Sequence, residues 1–237
     1  MKTYFYKQNP LKEQKYIMYE DWKPSAEHYT FITQPPRDWI HDDKTGLDYL
    51  YWAEFQNEIK IAYVLFKGSS ETKDWVKDFE FFPKRLNLFP GTHIRVHCGI
   101  GEQYLAGRNQ ILDFLYQEKP SVILISGYSL GGGLTQIAAE DITWHFRETT
   151  ISAIAYESPR VWFMSARLVK PFIENKLTLI MTWWDPVVHL PLFIFGFKFV
   201  GKKIWIGKLN RLIPVQHLWN EVVKNLMEKF SVSGLTI

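Results

Sequence analysis

Short apolar runs along the middle of the chain predict strands. Two runs, at residues 47–55 and 59–66, follow each other closely and predict a strand pair. Three later runs, at residues 122–126, 151–156 and 177–182, are largely apolar. Runs of this kind are typical of strands that are buried on both faces of a sheet. The pattern therefore predicts a sheet with buried central strands.

Segments with helical character lie between or after these strands. Residues 102–118 show helical spacing of apolar positions and predict a helix. Its apolar face carries Tyr104, Leu105, Ile111, Leu112 and Leu115. Residues 132–143 and 217–230 predict two further helices, and residues 166–175 predict a helix or a loop. Strands that alternate with helices predict an α/β fold with a mostly parallel central sheet and helices on both faces.

Two segments fall outside this alternation. Residues 197–206 predict a hairpin that turns at residues 201–203, and residues 1–44 predict an N-terminal segment that wraps the core. We find no internal repeat, low-complexity segment or linker, so we predict one domain over residues 1–237. The ligand site of such a fold lies at the carboxyl ends of the parallel strands.

The composition favours a globular protein and argues against several other classes. Hydrophobic residues make up 46% of the chain and aromatic residues 16%, which suits a thick core or contact with lipid. The net charge of +3 is spread out, so nucleic acid is not an expected partner. No apolar run is long enough to span a membrane. The first ten residues lack the apolar core of a signal peptide, so we expect a cytoplasmic location or delivery without a signal peptide.

The segment from Val122 to Glu140 contains the strongest catalytic signal. A strand-length apolar run leads into Gly127-x-Ser129-x-Gly131, and a segment compatible with a helix follows at once. This context is typical of a nucleophile elbow, which holds a serine at the tip of a tight turn with its hydroxyl exposed. The alternative is an ordinary glycine-rich turn with a buried or helix-capping serine.

A nucleophilic serine needs an acid and a base, which follow it in that order in this kind of elbow. Asp141 and Asp185 are the two aspartates after Ser129. Asp141 lies on the predicted outgoing helix and points away, whereas Asp185 follows a buried strand. We therefore predict Asp185 as the acid, with a turn cap beside Pro186 as the alternative.

Three histidines follow the serine: His145, His189 and His217. His145 lies on or just after the outgoing helix and is excluded by geometry. His217 precedes the last predicted helix, where a loop can carry it over the site, and we predict it as the base. His189 lies four residues after Asp185 and remains an alternative base, and His217 has the alternative of a polar helix start.

The oxyanion of an acyl-transfer intermediate needs two backbone donors. One is the amide of Leu130, directly after the nucleophile. The other is expected after an earlier strand, and the run ending at Phe66 stops at Gly68 and Ser69. We predict the Ser69 amide as the second donor, although the residues alone favour an ordinary Gly-Ser turn.

Six collinear blocks between about residues 45 and 225 resemble the class 3, fungal triacylglycerol-type lipases. They are Phe66-Lys67-Gly68-Ser69-Ser70 with Asp74-Trp75-Val76-Lys77-Asp78, Val96-His97-Cys98-Gly99, Gly127-Tyr128-Ser129-Leu130-Gly131-Gly132, Ser158-Pro159-Arg160-Val161, Asp185-Pro186-Val187-Val188-His189-Leu190-Pro191, and Val200-Gly201-Lys202-Lys203-Ile204-Trp205-Ile206. The resemblance implies a three-layer α/β-hydrolase fold. It also implies Ser129, Asp185 and His217 as the catalytic triad, with Ser69 and Leu130 as the oxyanion hole.

Three positions depart from the family pattern. Lys67 replaces the usual arginine, Tyr128 replaces the usual histidine beside the nucleophile, and Glu157 stands where a small residue is frequent. None of them removes a triad member. The resemblance also implies that Asp78 and His97 are structural.

The family resemblance further implies a helical lid after the oxyanion loop, which falls at residues 70–88. Trp75 and Phe79 lie there beside lysines, a combination that suits contact with a lipid surface. A surface helix that buries its aromatics is the alternative. Residues 191–197 are a second apolar segment, predicted either to line an acyl groove or to be a core strand.

The sequence thus predicts a serine ester hydrolase that acts on acylglycerols or phospholipids, as a triacylglycerol lipase or a phospholipase A1. We expect no cofactor, no metal, and a lipid or ester substrate with peripheral contact at a lipid interface. The alternatives are a short-chain esterase or thioesterase, an acyltransferase, or a non-catalytic member of the fold that binds lipid or protein.

Overall fold

The computed structural model describes residues 37–68, 82–90, 93–183 and 185–206. Its strands are β1 (Ile40–Asp42), β2 (Leu47–Gln56), β3 (Ile59–Phe66), β4 (Pro83–Leu86), β5 (Ile94–His97), β6 (Val122–Tyr128), β7 (Thr150–Tyr156), β8 (Trp162–Phe163), β9 (Leu177–Thr182), β10 (Phe197–Lys198) and β11 (Lys202–Ile206). Its α-helices are α1 (Cys98–Glu118), α2 (Leu130–His145) and α3 (Ala166–Ile173).

The main sheet has seven strands in the order β1-β2-β3-β6-β7-β9-β11. The pairs β1–β2 and β2–β3 are antiparallel, and every later pair is parallel. The sheet is therefore mostly parallel, as predicted. The strand pair at residues 47–66 and the three buried strands form where the apolar runs lie. β1 adds residues 40–42 to the edge of the sheet, within the segment predicted to wrap the core.

Burial on both faces explains the apolar runs of the central strands. All six residues of β9 are buried, and so are the first six of β6. One face of the sheet packs against apolar side chains of α1, α2 and α3, such as Ile111, Ile137 and Val169. The other face buries a second apolar cluster, which includes Trp52 stacked on Tyr63 with ring centroids 4.5 Å apart.

A smaller sheet of four strands, in the order β10-β8-β5-β4, corrects the predicted hairpin at residues 197–206. β10 pairs antiparallel with β8, whereas β11 pairs parallel with β9 in the main sheet. Gly201, with φ +108°, turns the chain between them. The prediction was wrong because strands of the same apolar pattern can pair with each other or with an open edge, and β9 offers such an edge.

The predicted lid at residues 70–88 is also corrected over its described end. Residues 83–86 form β4, which pairs antiparallel with β5, and Leu86 and Leu88 are buried in the core. Arg85 and Lys84 face a strand partner here instead of lying on a helix. Residues 70–81 of the predicted lid, with Trp75 and Phe79, lie outside the described residues.

Candidate active site

Four residues follow four neighbouring parallel strands of the main sheet. They lie at the edge formed by the carboxyl ends of these strands. Gly68 comes after β3, Ser129 after β6, Glu157 after β7 and Asp185 after β9. Because the carboxyl ends of parallel strands meet at the same edge, these residues are brought together there. The predicted nucleophile and the predicted acid thus lie on one side of the molecule.

Ser129 occupies a strained turn between β6 and α2. Its backbone dihedrals are φ 57° and ψ −120°, and its N–H donates to the carbonyl oxygen of Tyr156 at 2.9 Å. A non-glycine residue in such a region costs about 1–3 kcal/mol and persists only when the surroundings impose it. The strand–turn–helix arrangement predicted from the sequence is therefore present.

Three glycines at the Ser129 turn have no room for a side chain: Gly127, Gly131 and Gly68. A Cβ on Gly127 would lie 2.2 Å from the carbonyl oxygen of Gly131, across the turn. A Cβ on Gly68 would lie 2.7 Å from the carbonyl oxygen of Tyr128 and 3.3 Å from the Cβ of Ser129. The end of β3 therefore packs directly against the serine turn.

Ser129 is fully buried, which corrects the expectation of an exposed hydroxyl. The turn lies inside the packing of β3, β6 and β7, where Gly68 contacts it closely. Leu130 begins α2 directly after the serine. The N–H of the first residue of a helix has no acceptor within the helix, so the Leu130 amide is available for an oxyanion.

Asp185 is fully buried in the loop that leaves β9. Its Oδ1 accepts the backbone N–H of Val187 at 2.8 Å, and its own N–H donates to the Thr182 carbonyl at 3.2 Å. These contacts fix both the backbone and the side chain of the predicted acid. A turn cap alone would explain the contact with the Val187 N–H. It would not explain why Asp185 also lies beside the buried carboxyl group of Glu157.

Glu157 is a buried carboxyl group that sequence reasoning did not assign to the site. Its Oε2 accepts the Thr182 N–H at 2.9 Å, its Oε1 accepts the Thr182 hydroxyl at 2.6 Å, and its carboxyl group lies beside that of Asp185. Burial and the Asp185 carboxylate raise the pKa of Glu157 well above its usual range. The available signal was its replacement of a small residue beside the Ser158-Pro159-Arg160 block.

Tyr128 and Lys67 are the other two departures from the family pattern. Burial, together with the neighbouring carboxyl groups of Asp185 and Glu157, raises the pKa of Tyr128, so the phenol stays neutral beside the site. Lys67 forms an ion pair with Asp48, with Nζ 3.1 Å from Oδ2. It therefore ties the end of β3 to β2.

The loop after Asp185 is held by Arg160. The guanidinium of Arg160 donates to the carbonyl oxygens of His189 and, at 3.0 Å, Pro191. His189 places its Nε2 2.8 Å from the carbonyl oxygen of Trp183. That nitrogen is the donor in this contact, because a carbonyl oxygen only accepts. His189 is thus engaged within its own loop.

A charged cluster and a buried histidine away from this edge are structural. The Arg108 guanidinium holds the buried Asp141 with Nε 2.6 Å from Oδ2, and His145 joins them with Nε2 3.6 Å from Oδ1. This agrees with the prediction that Asp141 and His145 point away from the serine. Burial lowers the pKa of His97 to about 3, so this histidine is neutral inside the core.

Several predicted residues lie outside the described residues: Ser69, Asp78 and His217. The roles of Ser69 and His217 therefore remain predictions. Within the described ranges, the structure brings Ser129, Leu130 and Asp185 to the same edge of the sheet, and it adds Glu157.

The parallel sheet, the strained serine turn and the converging strand ends define an α/β-hydrolase fold. The sequence model of the lipase (class 3) family matches residues 63–195, more than half of the chain. The chain belongs to the class 3 lipase family. The resemblance predicted from the six sequence blocks is confirmed.

Relatives and solved structures agree with this assignment. A lipase of Rhizomucor miehei is 30% identical over 158 residues, which cover 62% of this chain and 42% of the relative. The secreted mono- and diacylglycerol lipase 1 of Fusarium solani is 25% identical over 186 residues, covering 74% of this chain and 53% of the relative. The chain spans about half the length of the curated relatives it matches.

A solved structure supports the fold independently. The triacylglyceride lipase of Rhizomucor miehei superposes with a TM-score of 0.61 at 21% identity, over 84% of this chain and 80% of that one. An identity this low supports a shared fold and nothing further.

The predicted cytoplasmic or signal-free location is wrong. The Fusarium solani relative is a secreted lipase, and this finding overturns the prediction. The prediction rested on the lack of an apolar leader pattern in the first residues, and that observation does not decide the compartment. Across the described ranges, no helix has the length and apolar character required to cross a bilayer.

Proposed function

We propose that the protein is a serine ester hydrolase that cleaves carboxylic ester bonds of acylglycerols or phospholipids through an acyl-enzyme on Ser129. The observation that carries this proposal is the strained turn of Ser129 at the sheet edge where the buried Asp185 also lies. Strain of this kind concentrates at functional sites. Ordinary turns that need a positive φ place glycine, asparagine or aspartate at that position, whereas here a serine adopts it.

The proposed reaction has two halves. The Ser129 oxygen attacks the ester carbonyl carbon while His217 accepts the hydroxyl proton, and His217 then gives that proton to the departing alcohol. In the second half His217 takes a proton from water, whose oxygen attacks the acyl carbon. His217 then returns that proton to the Ser129 oxygen as its bond to the acyl carbon breaks and the fatty acid leaves. Asp185 orients His217 and stabilises its charged form.

The proposed oxyanion hole consists of the backbone amides of Leu130 and Ser69. Leu130 supports it as the first residue of α2, where the partial positive charge of the helix terminus favours an oxyanion. For Ser69 the support is the close approach of Gly68, the residue before it, to the Ser129 turn.

The proposed substrate is a lipid, and an exposed apolar segment supports contact with a lipid interface. Residues 192–195, which we call the apolar tip, follow the acid loop. Their exposed fractions are 46% for Leu192, 69% for Phe193, 67% for Ile194 and 56% for Phe195. Contiguous exposed apolar side chains of this size are typical of interaction sites. The relatives' names refer to acylglycerols, which fits the same class of substrate.

A fluorophosphonate probe tests the nucleophile. We expect one probe per molecule of the wild-type protein and none on Ser129→Ala. Ser126→Ala is the matched control, because Ser126 is a buried serine of the same strand whose hydroxyl donates to the Ile154 carbonyl at 3.1 Å. Labelling of Ser129→Ala, or no labelling of the wild type, would contradict the proposal. Hydrolysis assays across acyl chain lengths then separate a lipase from a short-chain esterase.

A further inference from the structure

We propose that Glu157 is a positioning residue: a neutral carboxylic acid whose O–H donates a hydrogen bond to the Asp185 carboxylate and fixes it for its role toward His217. This inference rests on the proposed function. It goes beyond the triad because it adds a second buried carboxyl group with a defined task.

The geometry supports the donor role of Glu157. Both residues are fully buried, and they follow the adjacent strands β7 and β9. The Thr182 N–H and hydroxyl donate to the two Glu157 oxygens, and the Asp185 carboxyl group lies beside Glu157. Two buried carboxylates side by side repel each other, and they can hydrogen-bond only when one of them carries a proton. One of the two groups must therefore carry it.

The proton belongs on Glu157. The proposed role of Asp185 toward His217 requires a carboxylate, so the proton of the pair is left to Glu157. Among the residues that the structure describes, the titratable groups that face Glu157 are Asp185 and the phenol of Tyr128, and neither brings a positive charge. Burial and the neighbouring carboxylate accordingly raise the pKa of Glu157. The pair thus carries one negative charge, placed on the proposed catalytic acid.

The backbone at Glu157 indicates that the side chain is retained for a purpose. Its φ is +45°, in the left-handed region that favours glycine. Glycine would adopt this conformation without strain, and a small residue is frequent at this position in the resembling family. A glutamate that is buried, strained and fully engaged has a role other than filling space.

Three substitutions of Glu157 separate positioning from simple packing. Glu157→Gln keeps a neutral N–H donor and an acceptor for Thr182, so we expect kcat within about threefold of wild type. Glu157→Leu has no donor, and Glu157→Gly has none while relaxing the backbone. For both we expect kcat to fall at least tenfold with KM unchanged, measured per fluorophosphonate-labelled site on a soluble ester.

Glu140 provides the matched control, since it is another buried glutamate, 2% exposed, on α2. Glu140→Gln and Glu140→Leu should change the folded fraction without changing kcat per labelled site. A Leu or Gly variant of Glu157 that matches the Gln variant in kcat per labelled site would overturn the proposal.

An infrared measurement tests the proton without any need for activity. The carbonyl stretch of a protonated carboxylic acid should be present at pH 7 in the wild-type minus Glu157→Gln difference spectrum, and it should shift in Asp185→Asn. Absence of this band would overturn the proposal even if hydrolysis is normal. Failure of the proposed function would instead appear as no labelling and no hydrolysis by the wild type, with the band present.

Discussion

Gly131 lies so close to Phe66 that a Cβ on the glycine would be 2.2 Å from the phenylalanine carbonyl oxygen. The contact joins the first turn of α2 to the last residue of β3. Neither partner can yield easily, because the atom facing the glycine is backbone. This contact holds the serine turn against the strand that leads to the predicted oxyanion loop.

Gly131→Ala should therefore destabilise the protein by about 1–3 kcal/mol or more, as overpacking of a core does. The measurement is guanidinium-induced unfolding. Gly99→Ala is the control, because Gly99 lies in the first turn of α1 and the nearest atom to its Cβ would be 3.9 Å away. That change should be neutral or stabilising by up to about 1 kcal/mol through helix propensity. Equal unfolding midpoints for both variants would contradict the tight packing of the turn.

Ser129→Ala should abolish ester hydrolysis while the protein stays folded. Loss of a nucleophile leaves only the residual catalysis of the oxyanion hole and of substrate binding. The measurements are kcat on a soluble ester and the thermal unfolding midpoint. Activity above about a hundredth of wild type would rule out Ser129 as the nucleophile.

Alanine substitutions distinguish the two histidines that remain as bases. His217→Ala should lower kcat by several orders of magnitude, because the serine proton then has no acceptor. His189→Ala should mainly affect stability, since Nε2 of His189 donates to the Trp183 carbonyl at 2.8 Å within its own loop. Steady-state kinetics and thermal unfolding of both variants provide the comparison. The opposite ranking would assign His189 as the base.

The sequence predicts the main sheet well because its strands are buried on both faces. β9 begins and ends at the predicted residues 177 and 182, and all six of its side chains are buried. The predicted hairpin at residues 197–206 was wrong because its first strand is short and mostly not buried. β10 has two residues and one buried side chain, too little pattern to specify its partner.

The candidate site was predicted in part. Ser129 and Asp185 could be found because each follows a buried strand in a fixed order along the chain. Glu157 could not be assigned, since its role depends on the pairing of β7 with β9, a contact between residues 25 positions apart at Glu157 and Thr182. Local patterns do not encode such a contact. Ser69 and His217 remain predictions from order and resemblance.

Glu140 should make the stability of the protein depend on pH. Burial raises its pKa from 4.5 to about 8, so the native state keeps a proton that the unfolded state has released at neutral pH. This contribution to stability is fully present below pH 4.5 and is lost as the pH rises toward 8. Each pH unit within that window lowers the free energy of unfolding by about 1.4 kcal/mol.

Glu140→Gln should flatten this dependence, because a glutamine has no proton to release. Urea unfolding at several pH values between about 5 and 8 measures it. Glu148→Gln is the control, since Glu148 is an exposed glutamate just beyond the same helix. A wild-type curve as flat as that of Glu140→Gln would show that Glu140 is ionised in the folded protein.

The apolar tip should govern activity on aggregated lipid. Phe193 and Ile194 are the most exposed of its side chains, at 69% and 67%. Burying a side chain of this size is worth about 1.5–3 kcal/mol, so replacing both with serine should weaken adsorption to an emulsion at least tenfold. Hydrolysis of a soluble short-chain ester should stay unchanged.

Phe55→Ser is the control for this last prediction. Phe55 is 70% exposed, like the side chains of the tip. It pairs with Lys60 near the start of β3, so it lies at the opposite end of the strands from the site. Its replacement should leave adsorption and interfacial hydrolysis as in the wild type. Trp75→Ser with Phe79→Ser tests the predicted lid in the same assay, where the rise in rate on substrate aggregation should weaken. If the tip variant adsorbs as the wild type does, the lipid interface contacts another surface and the tip has no part in it.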